Sequence, residues 1–203
     1  MKKVLFGTRN KTRLAYLQEI LKDLPIEIIS LNDLEIDHTV EEIGRMPINN
    51  SIKKALEYFR KANMPTFSID SGLFIEKFPK DKQPGVFVRR IKADQRDATD
   101  EEMLDYYITE LENCGGSSPA VWMNALTIVI SEEKIFSTVY ERETFLTSQI
   151  CDSYTPDEPL NSLQFDAASM KYVAEMSLSE KKESQKGMAK HIEAFVKEHL
   201  HEM

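Results

Sequence analysis

Cysteine is scarce in this chain of 203 residues: Cys114 and Cys151 are the only two, and they form no C-x-x-C pair. Neither a disulfide framework nor a cysteine metal site is expected. Long apolar runs are missing too. The opening MKKVLFGTRN offers only Val4 to Phe6 as a short apolar core, too little for a signal peptide or a membrane span, so the expected location is the cytoplasm. An excess of positive charge is also lacking, with 26 Lys and Arg against 34 Asp and Glu, a formal charge of -8 and a pI near 5.2. That balance argues against a nucleic-acid backbone or an anionic membrane as the main partner. A small anion needs only a local cluster of basic groups and backbone N–H groups, which an acidic protein can still supply. The four histidines, His38, His191, His199 and His201, stand in no triad-like context. No internal repeat, low-complexity tract or flexible linker is visible.

What is present is a globular composition, 41% hydrophobic and 30% charged, expected to fold over nearly its whole length as a single domain, 1–203. Residues 2–7 read as a buried strand. A helix follows, with Leu14, Leu17, Leu21 and Leu24 on one face, closed by Pro25, and 26–30 is the next strand. Pro47 opens a helix carrying Ile48, Ile52, Ala55 and Phe59 at helical spacing, ending near Asn63. Thr66 to Ile69 reads as a strand, with IDSGL turning sharply at Gly72. Thr99 and Glu102 form a capping box for a helix that Cys114-Gly115-Gly116 stops. Residues 120–130 and 134–140 read as a hairpin around Ser131-Glu132-Glu133, with a third strand over 145–150. Residues 151–164 read as loop, and a second capping box, Ser177 with Glu180, starts a helix expected to run to about Leu200.

Three stretches could carry chemistry. Gly7 to Arg13, GTRNKTR, joins a strand to a helix N-terminus, where unpaired N–H groups and the helix dipole favour an anion; Thr8 and Asn10 add polar contacts and Arg13 a fixed charge. The segment fits neither Walker A nor GxGxxG, and an ordinary capped helix start accounts for it equally well. Asp70 and Ser71 lie at the end of a strand, where a carboxylate can bind Mg²⁺ and help activate water, or merely cap a turn. Glu41 and Glu42 precede Gly44, while Asn50 and Lys54 are four apart on one helix face, so an acid for a metal and a lysine for phosphate fit one site. Taken singly these are surface charges, as are Arg89, Arg90, Lys181, Lys182 and Lys186.

Taken in order, TRNKTR at 8–13, EEIG at 41–44, NNSIKKA at 49–55, IDSGL at 69–73, QPGVFVRR at 83–90 and AEMSLSEKK at 174–182 resemble the inosine triphosphate pyrophosphatase family. Its members hydrolyse non-canonical purine nucleoside triphosphates such as ITP, dITP and XTP. The resemblance implies an α/β fold with an elongated mixed sheet and flanking helices, two lobes around a central nucleotide cleft, Mg²⁺ dependence and a homodimer. It places Thr8, Asn10 and Arg13 in the phosphate loop, with Arg13 where the family has lysine. Glu42 falls on the metal-binding acid, Lys54 on the phosphate-binding lysine, Asp70 on the catalytic base and metal ligand, and Ser71 on a substrate-contacting serine. Arg89, Arg90 and Lys181 match further basic positions.

Departures concentrate elsewhere. Ile69 replaces the first acid of the family's Asp-Asp-Ser-Gly segment. The base-reading aromatic segment is reduced to Leu163-Gln164-Phe165-Asp166-Ala167, from which Phe165 and Asp166 are candidate substrate contacts. Ser-His-Arg is reduced to Ser184-Gln185-Lys186, leaving Lys186 as a candidate. The expected activity is hydrolysis of a nucleoside triphosphate to monophosphate and pyrophosphate. Two alternatives stay open at this point: a pyrophosphatase for a different nucleotide, separable by a substrate panel, and a nucleotide-binding relative without turnover, favoured by Ile69.

Overall fold

A computed structural model describes residues 1–91 and 96–203. Its seven strands are β1 (Lys2–Phe6), β2 (Ile26–Ser30), β3 (Thr66–Ile75), β4 (Ser117–Val129), β5 (Ile135–Thr147), β6 (Gln164–Asp166) and β7 (Lys171–Tyr172). Its helices are α1 (Lys11–Leu21), α2 (Pro47–Ala62), α3 (Asp100–Asn113), α4 (Leu178–Ser184) and α5 (Lys186–His199). The strands form one mixed sheet in the order β2-β1-β3-β4-β5-β6-β7. β1 runs parallel to β2 and β3, whereas β6 runs antiparallel to β5 and β7. The expected α/β class with a mixed sheet and flanking helices is what the chain adopts.

The chain divides into two compact units. The first comprises Met1–Ser71, Asn124–Tyr140 and Gly187–Met203. Strand alternation sends successive side chains of β1 to opposite faces. Val4 and Phe6 join Phe67, Leu126 and Ile128 beneath Leu17 and Leu21 of α1 and Ile192, Phe195 and Val196 of α5. Leu5 joins Leu31, Val40 and Tyr58 of α2 on the other side. Each of these buried side chains contributes roughly 1.5–3 kcal/mol relative to exposure, so helices cover both faces of this half of the sheet. α1 is capped by Asn10, and α2 opens with Pro47 and closes at Asn63 in the left-handed region.

The second unit comprises Gly72–Met123 and Glu141–Lys186. Its core gathers Leu73, Ile75 and Phe78 with Met103, Tyr107 and Leu111 of α3, and with Ala120, Leu146, Leu160 and Leu163. The Thr99–Glu102 capping box is formed as expected. Gly115 and Gly116, with φ of 97° and 82°, end α3 at the expected place.

Several sequence expectations are corrected. β3 does not turn at Gly72; it continues to Ile75, because Phe67, Ile69, Leu73 and Ile75 keep a period of two and both ends are drawn into cores. Asp70 and Ser71 are therefore within the strand. Residues 135–147 form one strand, so the separate strand expected at 145–150 is the end of β5. Residues 151–164 are largely irregular, but a short 3-10 turn at Pro159–Ser162 buries Leu160 beside Leu163. The expected last helix is two, α4 and α5, separated by a turn at Gln185, which caps α4 with its N–H on the Lys181 and Glu183 carbonyls.

Candidate active site

Three segments of the first unit converge on one charged cluster. β3 carries Asp70, α2 carries Asn50 and Lys54 one turn apart, and the irregular stretch before α2 carries Glu42. The Lys54 ammonium donates to a Glu42 carboxylate oxygen, to Asp70 Oδ1 at 3.3 Å and to the Ile69 carbonyl at 3.4 Å. Asp70 is nearly buried, its side chain 8% exposed, while Glu42 keeps 33% exposure and so faces solvent. Burial pushes the Asp70 carboxyl above its ordinary range; the Lys54 charge opposes that shift and the Glu42 charge adds to it.

Asn50 organises the cluster. Its Oδ1 accepts from the Gly44 N–H at 2.7 Å, and its Nδ2 donates to the Gly44 carbonyl at 3.2 Å and to Asp70 Oδ2 at 3.2 Å. Gly44 is needed here: an added Cβ would come within 2.6 Å of Asn50 Oδ1. One buried amide thus fixes the segment bearing Glu42 against the strand bearing Asp70. Sequence reasoning placed Asn50 on the face of Lys54 but gave it no role; the spacing of four in NNSIKKA was the available signal.

Ile69 lies on the strand face opposite Asp70, packed against the core under α1 and α5. Its replacement of an acid removes no carboxylate from beside Glu42 and Asp70. Ser71 shares that opposite face and donates to Asn124 Oδ1 at 2.9 Å. It does not join the cluster.

The phosphate-loop candidates lie in the same unit, at the N-terminus of α1. Gly7 packs so closely on Tyr58 that a Cβ would meet its ring at 2.6 Å. Thr8 Oγ1 accepts from the Asn10 N–H at 3.2 Å, and Asn10 Oδ1 accepts from the Arg13 N–H at 3.0 Å. Asn10 is therefore a helix cap, and the Arg13 side chain is exposed. Arg9, which sequence reasoning passed over, pairs with Asp37 at 2.9 Å.

The remaining candidates lie in the second unit, and most are engaged within it. Arg89 donates to the carbonyls of Ala98 and Asp157 and pairs with Asp100 at 2.8 Å, tying the start of α3 to the 151–158 stretch. Arg90 sits 5.6 Å from the centroid of Phe87 and 3.4 Å from Asp97. Phe165 meets Tyr172 edge-on at 5.6 Å. Burial acts to raise the Asp166 carboxyl, but hydrogen bonds from the Ser169 hydroxyl and N–H and from Ser184 bring it below its ordinary range. It pins a turn. Lys186 pairs with Glu183 at 2.9 Å, and Lys181 lies in the last turn of α4.

Comparison with known proteins identifies the family and the fold. The Ham1 family model matches residues 4–191. A dITP/XTP pyrophosphatase of Coxiella burnetii is 28% identical over 133 residues, covering 66% of this chain and 64% of that protein. One from Geobacter sulfurreducens is 33% identical over 56% of this chain and 55% of its own length. The chain thus spans less than two thirds of those two relatives. One from Thermoanaerobacter pseudethanolicus is 26% identical over 88% of this chain and 87% of its own length. Among solved structures, a HAM1 protein from Coxiella burnetii superposes with a TM-score of 0.83 at 21% identity, covering 98% of this chain and all of that one. The Staphylococcus aureus Ham1 protein gives 0.78 at 16% identity, covering 97% and 98%. These likenesses establish the fold, and with a family match running from β1 into α5, the chain belongs to the Ham1 family.

Proposed function

We propose that this protein hydrolyses a nucleoside triphosphate, of the non-canonical purine class named in its relatives, to the monophosphate and pyrophosphate. The observation that carries the reading is the single ammonium of Lys54 held between the carboxylates of Glu42 and Asp70. An ordinary surface pair needs one acid, and a second carboxylate that is nearly buried indicates a site prepared for more positive charge than one lysine supplies.

The donor set fits Mg²⁺. Hard cations take oxygen ligands, and Mg²⁺ is commonly bound by one or two carboxylates together with substrate phosphates and water. Glu42 and Asp70 supply that number, and among the described residues no group of three or more His, Cys, Asp or Glu side chains is placed to hold an ion. Held by these carboxylates, the ion would polarise the phosphate oxygens and lower the pKa of water.

The chain's own residues account for the rest. Asp70, raised by burial, is a stronger base than an exposed carboxylate and accepts the proton of the attacking water at its carboxylate. Asn50 holds Asp70 Oδ2, which fixes the orientation of the group. Lys54 neutralises charge on the phosphates, and the Thr8 hydroxyl, the Asn10 amide nitrogen and the Arg13 guanidinium are the side-chain donors near the N-terminus of α1. Water attacks the α-phosphorus, the bond to the pyrophosphate oxygen breaks, and no covalent enzyme intermediate is required. Ser71, Arg89, Arg90, Phe165, Asp166, Lys181 and Lys186 are assigned to substrate contacts on the family resemblance, and the enzyme to a homodimer on the same ground.

The test is pyrophosphate release with Mg²⁺ across ITP, dITP, XTP and the common nucleotides, for the native chain and Asp70→Asn. Release from inosine and xanthine nucleotides that Asp70→Asn abolishes is the expected result. Release from another base only would reassign the substrate, and binding without release would sink the catalytic reading.

A further inference from the structure

Lys54 donates to the two carboxylates and also to the Ile69 carbonyl, so three oxygens from two chain segments surround its ammonium, and the side chain is only 12% exposed. A lysine reserved for phosphate alone would extend its charge towards solvent, where the phosphate arrives. Here the ammonium occupies the oxygen set that a divalent ion needs. We propose that Lys54 is the resident counter-ion of the site, competing with the divalent cation for Glu42 and Asp70, and that the polyphosphate draws it away. The site therefore takes its metal together with a polyphosphate and excludes the bare ion. This rests on the reading of Glu42 and Asp70 as metal ligands.

The charge argument is direct. Without a cation between them, Glu42 and a nearly buried Asp70 repel each other in a region poorly screened by solvent. Lys54 removes that repulsion when no ligand is bound. A bare divalent ion entering the pair displaces the ammonium from its three acceptors and leaves it beside a like charge. A polyphosphate supplies the missing acceptors, so Lys54 exchanges carboxylate oxygens for phosphate oxygens without losing its pairing. Asn50 keeps the two carboxylates in register during the exchange, because its amide bonds reach Gly44 and Asp70 and not the ammonium.

The roles of Lys54 as metal competitor and as phosphate ligand separate in one experiment. Mn²⁺ alone is titrated, by its paramagnetic resonance signal at mildly alkaline pH, into the native chain, Lys54→Met, Lys54→Gln and Lys54→Arg. The native protein is expected to bind Mn²⁺ weakly, Lys54→Met and Lys54→Gln about tenfold more tightly or better, and Lys54→Arg no more tightly than the native chain. Lys54→Gln retains a hydrogen-bond donor to Glu42, which guards against loss of folding in Lys54→Met, and a thermal melt checks both. Tight binding of Mn²⁺ by the native protein, or unchanged or weaker binding by both neutral variants, overturns the proposal. Either outcome leaves the hydrolytic reading intact, since pyrophosphate release by the native chain decides that separately.

Discussion

At the scale of single residues, the cluster depends on positions with little latitude. Asn50→Ala removes three hydrogen bonds at once and leaves the Gly44 backbone and Asp70 Oδ2 without a partner, which should cost about 1–3 kcal/mol. Urea denaturation measures that loss, and pyrophosphate release should fall further than unfolding explains; an unchanged turnover number would show that Asn50 is structural only. Ile69→Asp is the informative converse. Restoring the family's acid places a charge against the core under α1 and α5, so the melting temperature should drop with no gain in Mn²⁺ affinity. Of these residues, Glu42, Lys54 and Asp70 were singled out in the sequence as acid, lysine and acid in family order, and the fold brings the three together. The role of Asn50 was not, because it depends on contact with a backbone six residues earlier. That Ile69 faces away from the cluster was hidden as well: adjacent letters suggest adjacent groups, whereas a strand sends them to opposite faces.

At the scale of elements, capping signals were read well. Both predicted boxes form, and the one at α4 supports a pH prediction. The Lys171 ammonium first, and then the Ser177 backbone and hydroxyl, hold Glu180 down to about 2 from its ordinary 4.5. A depressed carboxyl contributes stability that is complete above its unfolded value and disappears as pH falls through the folded one. The amides of α4 should therefore lose exchange protection between about pH 4.5 and about pH 2, and Glu180→Ala, which removes the acceptor, should show reduced protection there even at neutral pH. Protection in the native chain that persists below this window would count against the cap. Gly187→Ala tests the start of α5, since an added Cβ would lie 2.3 Å from Tyr140 Oη. A cost of about 1–3 kcal/mol is expected by chemical denaturation. Turn signals were less faithful than caps. Gly72 looked like a break and is not one, because apolar alternation resumes on its far side and burial outweighs a single permissive residue. The break at Gln185 carried no proline or glycine of its own and could not be seen.

At the scale of the whole molecule, composition anticipated a globular protein with few cysteines and an acidic charge balance, and the family resemblance implied its α/β class. Cys114 and Cys151 are both free, so thiol titration after denaturation should count two and reductant should leave the melting temperature unchanged. A shift of several degrees on adding reductant would contradict this. No linker marks the division into two units, whose boundaries fall inside β3, β4, β5 and α5. The first unit is drawn from three separate stretches, and the core beneath its part of β3 includes Ile192, Phe195 and Val196. During synthesis, β1, α1, α2 and β3 leave the ribosome long before the helix that seals them. Glu42, Lys54 and Asp70 are already translated at that stage, yet the strand that aligns them still exposes one apolar face. A nascent chain stalled before residue 196 therefore holds every letter of the proposed catalytic cluster without its activity, and competence arrives late and all at once.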